Sequence, residues 1–102
     1  MATLEDGAVF DFIVTGAGSA GCAVAGRLSE NGRYSVLLLE AGPKDTNPWI
    51  HIPLGFTKVF TDEKVNWKFE SEPVEALNNR VLYQPRGRVL GGSSSINGTI
   101  YM

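Results

Sequence analysis

Two short apolar runs mark the amino-terminal part of the chain. Residues 9–15 (VFDFIVT) end at Gly16, and residues 34–40 (YSVLLLE) lead to Gly42-Pro43. Predominantly apolar runs of this length, closed by glycine or proline, are typical of strands that are buried on both faces of a sheet. The pattern therefore predicts two buried strands.

Between these runs the sequence GAGSAGCAVAGRLSENG changes to helical spacing. Val24 and Leu28 form an apolar stripe, and Asn31-Gly32 supplies a stop, because glycine accepts the left-handed cap conformation. A strand, a helix and a second strand within about 30 residues predict parallel pairing with a right-handed crossover. The fold class expected from this order is α/β, a Rossmann-like βαβ segment of a larger doubly wound domain.

Prolines break the pattern after the second predicted strand. Proline lacks a backbone donor and restricts the residue before it, so regular elements tend to end there. Pro43, Pro48 and Pro53 divide residues 43–64 into loops, with one helical turn expected at 54–60.

Two later segments alternate in the manner of strands, NWKFES at 66–71 and RVLYQ at 80–84. Asn78-Asn79 between them tolerate positive φ in a turn, so a β-hairpin is predicted. The last segment is a glycine-serine loop that leads into SINGTIYM, where a short helix is expected.

Composition narrows the class of protein. The 102 residues are 43% hydrophobic and 20% charged, as in globular proteins rather than disordered or fibrous ones. A net charge of −2 argues against a nucleic-acid partner, and no apolar run approaches the roughly 20 residues of a membrane span. One cysteine allows no internal disulfide. The amino terminus (MATLEDGAVFDF) lacks the basic region of a secretory signal, so a cytoplasmic location is favoured.

The first predicted strand leads into a glycine loop with the spacing Gly16-x-Gly18-x-x-Gly21. In a dinucleotide-binding fold, one such glycine permits the tight turn, one lets the backbone approach a pyrophosphate, and one allows close helix–strand packing. The following helix directs free N–H groups and a partial positive charge at the anion. Glu40, at the end of the second strand, is placed to accept hydrogen bonds from ribose hydroxyls. The alternative is a structural glycine turn beside a solvated acid.

Two residues of the predicted helix, Cys22 and Gly26, are interpreted as having packing roles rather than chemical ones. Gly26 should cost roughly 1 kcal/mol relative to alanine inside a helix, so a close approach of another backbone is expected there. Cys22 lies on the same face as Gly18, Ala25 and Ser29, which are all small. It is expected to be a buried filler rather than a reactive thiol.

A second glycine-rich segment, GRVLGGSSSINGTIYM, follows the predicted hairpin. Arg86-Gly87-Arg88 precede Gly91-Gly92, so cations and backbone donors occur together, an arrangement that binds anions. One nucleotide needs one pyrophosphate loop. The second loop therefore indicates a ligand with a further polar region, such as a flavin ring beyond the diphosphate; the alternative is a basic, solvated loop.

These segments resemble the amino-terminal region of the glucose-methanol-choline (GMC) oxidoreductases, which are FAD-dependent alcohol oxidases and dehydrogenases. The resemblance rests on DFIVTGAGSAGCAVAGRLSE, on VLLLEAG and above all on GRVLGGSSSINGTIY, which matches a signature of the family. DEKVNWKFESEP and RVLYQPRGR are similar to its choline-dehydrogenase-like branch. The resemblance covers nearly the whole chain, and it implies that residues 1–102 are the amino-terminal part of an FAD-binding domain whose substrate domain is absent.

The resemblance implies FAD as the cofactor and assigns cofactor-binding roles position by position. The diphosphate would be lined by Gly16, Gly18, Ser19, Ala20 and Gly21. The adenosine ribose would be held by Glu40 and Ala41. The diphosphate and ribityl chain would be followed by Arg88, Leu90, Gly91, Gly92 and Ser93. The isoalloxazine ring would lie near Asn97, Gly98 and Thr99, and also near Trp67, for which a place in the core is an equal alternative.

No catalytic residue and no metal site are expected in this chain. The family's substrate-activating histidine lies near the carboxyl end of its members. The only histidine here, His51, lies in a proline-flanked loop, where a local hydrogen bond is the better interpretation. Some members bond the flavin to a histidine just before the asparagine of the signature. That position here is Ile96, which argues against a histidyl link.

Three functional hypotheses are open. The first is the FAD-binding segment of an enzyme that oxidises a small-molecule alcohol by hydride transfer to the flavin, with the remainder of the parent enzyme as partner. The second keeps the family but changes the chemistry, to that of a hydroxynitrile lyase or a fatty-acid photodecarboxylase. The third is a non-catalytic NAD- or ADP-binding module, which leaves GGSSSIN without a use. With two sheet strands and one helix, the chain is expected to be a fragment that is inactive alone.

Overall fold

The computed structural model describes residues 4–100 and begins with the predicted strand, helix and strand. These are β1 (Phe12–Thr15), α1 (Ser19–Ser29) and β2 (Val36–Leu39). The two strands are parallel, and the register places Thr15 opposite Leu39 at their carboxyl ends. The βαβ prediction is confirmed, although both strands are shorter than the apolar runs from which they were predicted.

Asp11 and Ser35 tie the amino-terminal ends of the two strands together. The backbone N–H and the hydroxyl of Ser35 each donate to the Asp11 carboxylate at 2.8 Å. These hydrogen bonds, the backbone one first, lower the pKa of the Asp11 carboxyl below its ordinary value. Because the folded-state pKa is depressed, this stabilising contribution is present above the unfolded pKa and is lost as the pH falls through the folded value.

The outer surface of this unit differs from the prediction. Cys22 is exposed, and no atom lies within 4 Å of a Cβ built on Gly26, so the buried filler and the close backbone approach expected there are wrong. Ile13 and Leu39 are also exposed, although their strands were predicted to be buried on both faces. The physical reason is the same in each case. α1 packs on one face of the strand pair and beyond it contacts the 3₁₀ turn at Gly92–Ser95, so these side chains lie on surfaces that the rest of residues 4–100 leaves open.

The proline-rich segment forms three short helical elements, whereas the sequence predicted one helical turn. α2 (Pro48–His51) starts where the Asn47 side chain accepts the Trp49 N–H at 3.0 Å, a helix cap that the sequence prediction missed. A 3₁₀ turn at Pro53–Gly55 then leads into α3 (Phe56–Val59), which lies within the predicted helical turn. A small hydrophobic core forms between this segment and the second glycine loop. Its buried members are Val59, Val65, Val89 and Ile96.

The predicted hairpin is confirmed. β3 (Phe69–Glu70) pairs antiparallel with β4 (Tyr83–Gln84), and isolated bridges extend the pairing to Asn66 with Gly87 at the base. At the tip, Asn78 and Asn79 have φ of 56° and 55°, the left-handed conformation that asparagine tolerates. The hairpin carries the chain directly into the second glycine loop.

The last described segment is a 3₁₀ turn at Gly92–Ser95, and residues 97–100 are not helical. The short helix expected in SINGTIYM is therefore wrong in position, since the helical turn falls on the glycine-serine stretch before it. The end of SINGTIYM, at residues 101 and 102, lies outside the described residues. Among the helices of residues 4–100, none has the length and apolar character that a membrane crossing requires.

Candidate functional site

The three glycines of the first loop have three different environments. Gly16 follows β1 and has φ of 87°, a conformation that favours glycine. A Cβ built on Gly18 would meet no atom within 4 Å, whereas one built on Gly21 would collide with the Gly16 carbonyl oxygen. The loop therefore has a tight turn, an open backbone surface and a close helix–strand contact, in the order that its spacing predicts.

The second glycine loop packs directly on the first. The Gly91 N–H donates to the Ala17 carbonyl at 2.7 Å, and a Cβ built on Gly92 would come within 2.8 Å of the Gly18 Cα. Gly42, which follows β2, lies directly against the backbone of the second loop, because a Cβ at this position would collide with the Arg88 carbonyl. The two loops thus form one continuous wall, and their glycines are required by backbone contacts as well as by any ligand.

Glu40 joins the two strand ends at this wall. One carboxylate oxygen, Oε2, accepts the Ala17 N–H, and the other, Oε1, accepts the Gly42 N–H, both at 2.8 Å. Hydrogen bonds to a charged acceptor are stronger than neutral ones. Each carboxylate oxygen retains a second lone pair for a ligand hydroxyl. The structure therefore gives Glu40 a role in holding the loops that its sequence position did not reveal.

The wall borders a cavity of about 660 Å³ at the carboxyl ends of β1 and β2, which is where α/β sheets bind their ligands. The lining residues that the sequence predicted as cofactor-binding are Gly16, Gly18, Glu40, Ala41, Trp67, Gly92 and Ser93. The lining residues outside the predicted cofactor-binding set are Thr15, Leu39, Phe69, Arg86 and Gly87. Of these, Arg86 and Gly87 belong to the segment whose cations and backbone donors were predicted to bind an anion. Thr15 and Leu39 are the last residues of β1 and β2. Because ligands bind at the carboxyl ends of parallel strands, the predicted strand order could have identified both residues as lining the site.

An aromatic pair from the hairpin closes one side of the cavity. The rings of Trp67 and Phe69 stack with 5.9 Å between centroids and 5° between planes, and both side chains are about half exposed. The Arg88 guanidinium lies 4.9 Å from the centroid of the Trp67 ring. Trp67 therefore lines the cavity and is not a member of the hydrophobic core cluster.

A second cavity, of about 270 Å³, adjoins the first. It shares Arg86 and Ser93 with the first cavity and adds Asn97 and Gly98, two of the positions predicted near the flavin ring. Thr99 lines neither of these two cavities. The remaining predicted residues that line neither cavity are Ser19, Ala20, Gly21, Arg88, Leu90 and Gly91.

His51 makes only local contacts. His51 is the exposed last residue of α2, and its Nε2 lies 2.5 Å from the Asp45 carbonyl oxygen and 3.7 Å from an Asp45 carboxylate oxygen. It lines neither cavity. Across the part of the chain that the structure describes, there is also no cluster of three or more side chains able to hold a metal ion.

Comparison with known proteins identifies the segment. The family model described as "GMC oxidoreductase" matches residues 10–102. An alcohol dehydrogenase (acceptor) of Pseudomonas putida is 53% identical over 94 residues, covering 92% of this chain and 17% of its own length. Mitochondrial choline dehydrogenase of Mus musculus is 49% identical over 100 residues, covering 91% of this chain and 17% of its own length. The chain thus spans about a sixth of the curated relatives it matches.

Solved structures agree with the fold. Pyridoxine 4-oxidase from Mesorbium loti superposes with a TM-score of 0.83 at 36% identity, over 90% of this chain and 18% of that one. A formate oxidase variant from Aspergillus oryzae RIB40, studied for the modification of its FAD, gives a TM-score of 0.82 at 37% identity, over 92% and 17% of the two chains.

Proposed function

The chain belongs to the GMC oxidoreductase family, and from this membership we propose that it forms the FAD-binding segment of a longer enzyme that oxidises an alcohol. The cofactor is FAD, and the substrate class is a small molecule with a CH–OH group. The remainder of the parent enzyme supplies the substrate-activating base. The single observation that carries the proposal is the cavity shared by two interlocked glycine loops and Glu40.

The residues present fit a flavin dinucleotide. Gly18 leaves its backbone open toward the cavity, and the first N–H groups of α1, at Ser19, Ala20 and Gly21, have no acceptor within their own helix. Those donors suit a diphosphate. The volume of about 660 Å³ lies within the range of cofactor pockets, about 300–1,000 Å³. The adjoining cavity, lined by Asn97 and Gly98, gives the ligand room beyond the diphosphate.

Bound FAD supplies a hydride acceptor, and the residues of this chain supply binding and orientation. The Glu40 carboxylate offers its free lone pairs to ribose hydroxyls while it holds the Ala17 and Gly42 backbones. Trp67 and Phe69 place an apolar face at the cavity, which keeps water from that side of the ligand. A binding module for ADP alone gives the second cavity no occupant.

The absorption spectrum of the purified full-length protein tests the proposal. We expect the two visible bands of oxidised flavin, one FAD per chain after gel filtration, and bleaching of those bands when an alcohol substrate is added without oxygen. A colourless protein that binds NAD would contradict FAD as the cofactor. A yellow protein that no alcohol reduces would contradict alcohol oxidation and favour the lyase or photodecarboxylase chemistry.

The flavin is expected to be held without a covalent bond at position 96. Isoleucine has no nucleophilic atom, and Ile96 is 3% exposed within the core cluster, where its side chain packs against valines. Acid or heat denaturation of the full-length enzyme should therefore release all FAD into the supernatant, measured by absorbance against total flavin. Flavin that stays in the precipitate would place a covalent link at another residue.

A further inference from the structure

The two arginines of residues 85–88 (PRGR), Arg86 and Arg88, have different surroundings. The family resemblance implies that Arg88 is the cofactor-binding cation, whereas the glycine-loop pattern predicted anion binding by Arg86 and Arg88 together. The structure places Arg86 at the border of both cavities, in contact with the same space as Gly16 and Gly18. Arg88 lines neither cavity. The cation that faces the pyrophosphate-binding glycines is therefore two residues earlier than the family resemblance implies.

Arg88 packs its guanidinium against the ring of Trp67, one member of the aromatic pair. Its guanidinium lies 4.9 Å from the Trp67 ring centroid, a distance at which the ring face attracts a cation. Its Nε is buried and makes no hydrogen bond to any residue of the described range 4–100. A guanidinium in this position stabilises the orientation of Trp67, and it does so without reaching the cavity.

Arg86 keeps most of its hydrogen-bonding capacity free. None of the ion pairs found among the described residues includes it, and its guanidinium donates to the neighbouring Pro85 carbonyl through Nη1. That contact uses one of five N–H donors. The side chain is exposed toward the cavities, so its charge is available to a ligand there.

The backbone of Arg86 is held on both sides by the base of the hairpin. Its N–H donates to Asn66 Oδ1 at 3.0 Å, and its carbonyl accepts the Trp67 N–H at 2.9 Å. Asn66 is itself buried and anchored, since its Nδ2 donates to the Phe60 carbonyl at 3.0 Å. Because the main chain is fixed before a ligand arrives, less ordering is needed when the side chain binds.

We propose that Arg86 binds the diphosphate of the dinucleotide, an inference that rests on the proposed function. A diphosphate carries two negative charges, and the helix terminus offers about half a positive charge. Arg86 adds a full charge and a planar fork that fits phosphate oxygens. Glu40, on the same cavity, repels an anion. The phosphates therefore belong toward Arg86 and the ribose hydroxyls toward Glu40.

The test compares ligands with and without phosphate on the full-length apoenzyme. Arg86→Gln should weaken FAD binding by about ten- to a hundred-fold, the effect of losing one charge-assisted hydrogen bond. ADP binding should weaken by a similar factor, while adenosine binding should not change. Arg86→Lys should restore part of the ADP affinity, and raising the salt concentration should narrow the gap between wild type and Arg86→Gln. Arg88→Gln is the matched control, and its ratio of ADP to adenosine affinity should stay at the wild-type value.

Two results would overturn the assignment. The first is equal ADP affinity in wild type and Arg86→Gln. The second is a selective loss of ADP in Arg88→Gln, which would return the phosphate to Arg88. Because the Arg86 side chain is exposed and bonds only to its neighbour within the described residues, the variant should melt at the wild-type temperature. A wild-type enzyme that binds no FAD would instead contradict the proposed function itself.

Discussion

Residues 1–102 expressed alone should show no cooperative thermal transition and should retain no FAD. The structure leaves large apolar side chains in water that a stable domain would bury, among them Ile13 at 60% exposure and Leu39 at 44%. Both belong to the two-stranded sheet, which α1 covers on one face. Parallel strands are normally covered on both faces and flanked by further strands, so this sheet is incomplete by itself.

The surface area leads to the same expectation. The chain exposes 7884 Å² for a mass of 11.0 kDa, whereas a folded monomer of that mass exposes about 5,600 Å². The radius of gyration is 16.9 Å, against about 13 Å for a compact domain of this length. A complete domain is stable by only about 5–15 kcal/mol. The free energy lost by leaving this additional surface exposed is therefore large compared with the stability of a complete domain.

Near-ultraviolet circular dichroism and a thermal melt of the isolated segment provide the measurement, with the full-length enzyme as control under the same conditions. We expect weak aromatic signals, a broad melt and aggregation through the exposed strand edges. A sharp transition together with one bound FAD per chain would show that the segment is a self-sufficient flavin-binding domain.

The glycine positions explain why much of the fold could be predicted. Gly16, Gly18 and Gly21 have the spacing of a strand–turn–helix and lie between a predicted strand and a predicted helix, and each has the environment assigned to it. Asn78 and Asn79 likewise have the positive φ that their type permits. These features depend on local backbone geometry, which a short stretch of sequence specifies.

Contacts between distant segments were harder to predict. Phe69 reaches the cavity because the hairpin folds back beside the first loop, a fact that no local pattern contains. The local pattern indicated an anion site at Arg86 and Arg88, but it did not show which of the two arginines faces the cavity. The α2 turn depends on the Asn47 cap, whose signal is a single residue before a proline. Cys22 was wrongly expected to be buried because helix periodicity shows which residues share a face and does not show whether that face is covered.

Replacing Glu40 should have the second large effect. In the full-length enzyme, Glu40→Gln puts an amide N–H₂ where Ala17 or Gly42 now donates an N–H, so one backbone donor loses its acceptor. The same change removes the charge that would attract ribose hydroxyls. A hydrogen bond to a charged group contributes about 1.5–3 kcal/mol, so FAD affinity should fall by about ten- to a hundred-fold. The unfolding temperature of the apoenzyme should fall as well.

Comparing FAD with FMN on the apoenzyme separates the two roles of Glu40, because FMN lacks the adenosine ribose. If Glu40 binds that ribose, Glu40→Gln should weaken FAD more than FMN; an equal loss of both would limit Glu40 to holding the loops. Glu63→Gln is the matched control, since this carboxylate is 83% exposed and pairs with Lys68 at the surface. An exposed pair contributes about 0–1 kcal/mol to stability, so this variant should bind both flavins as wild type does. Unchanged FAD affinity in Glu40→Gln would remove Glu40 from the cofactor site.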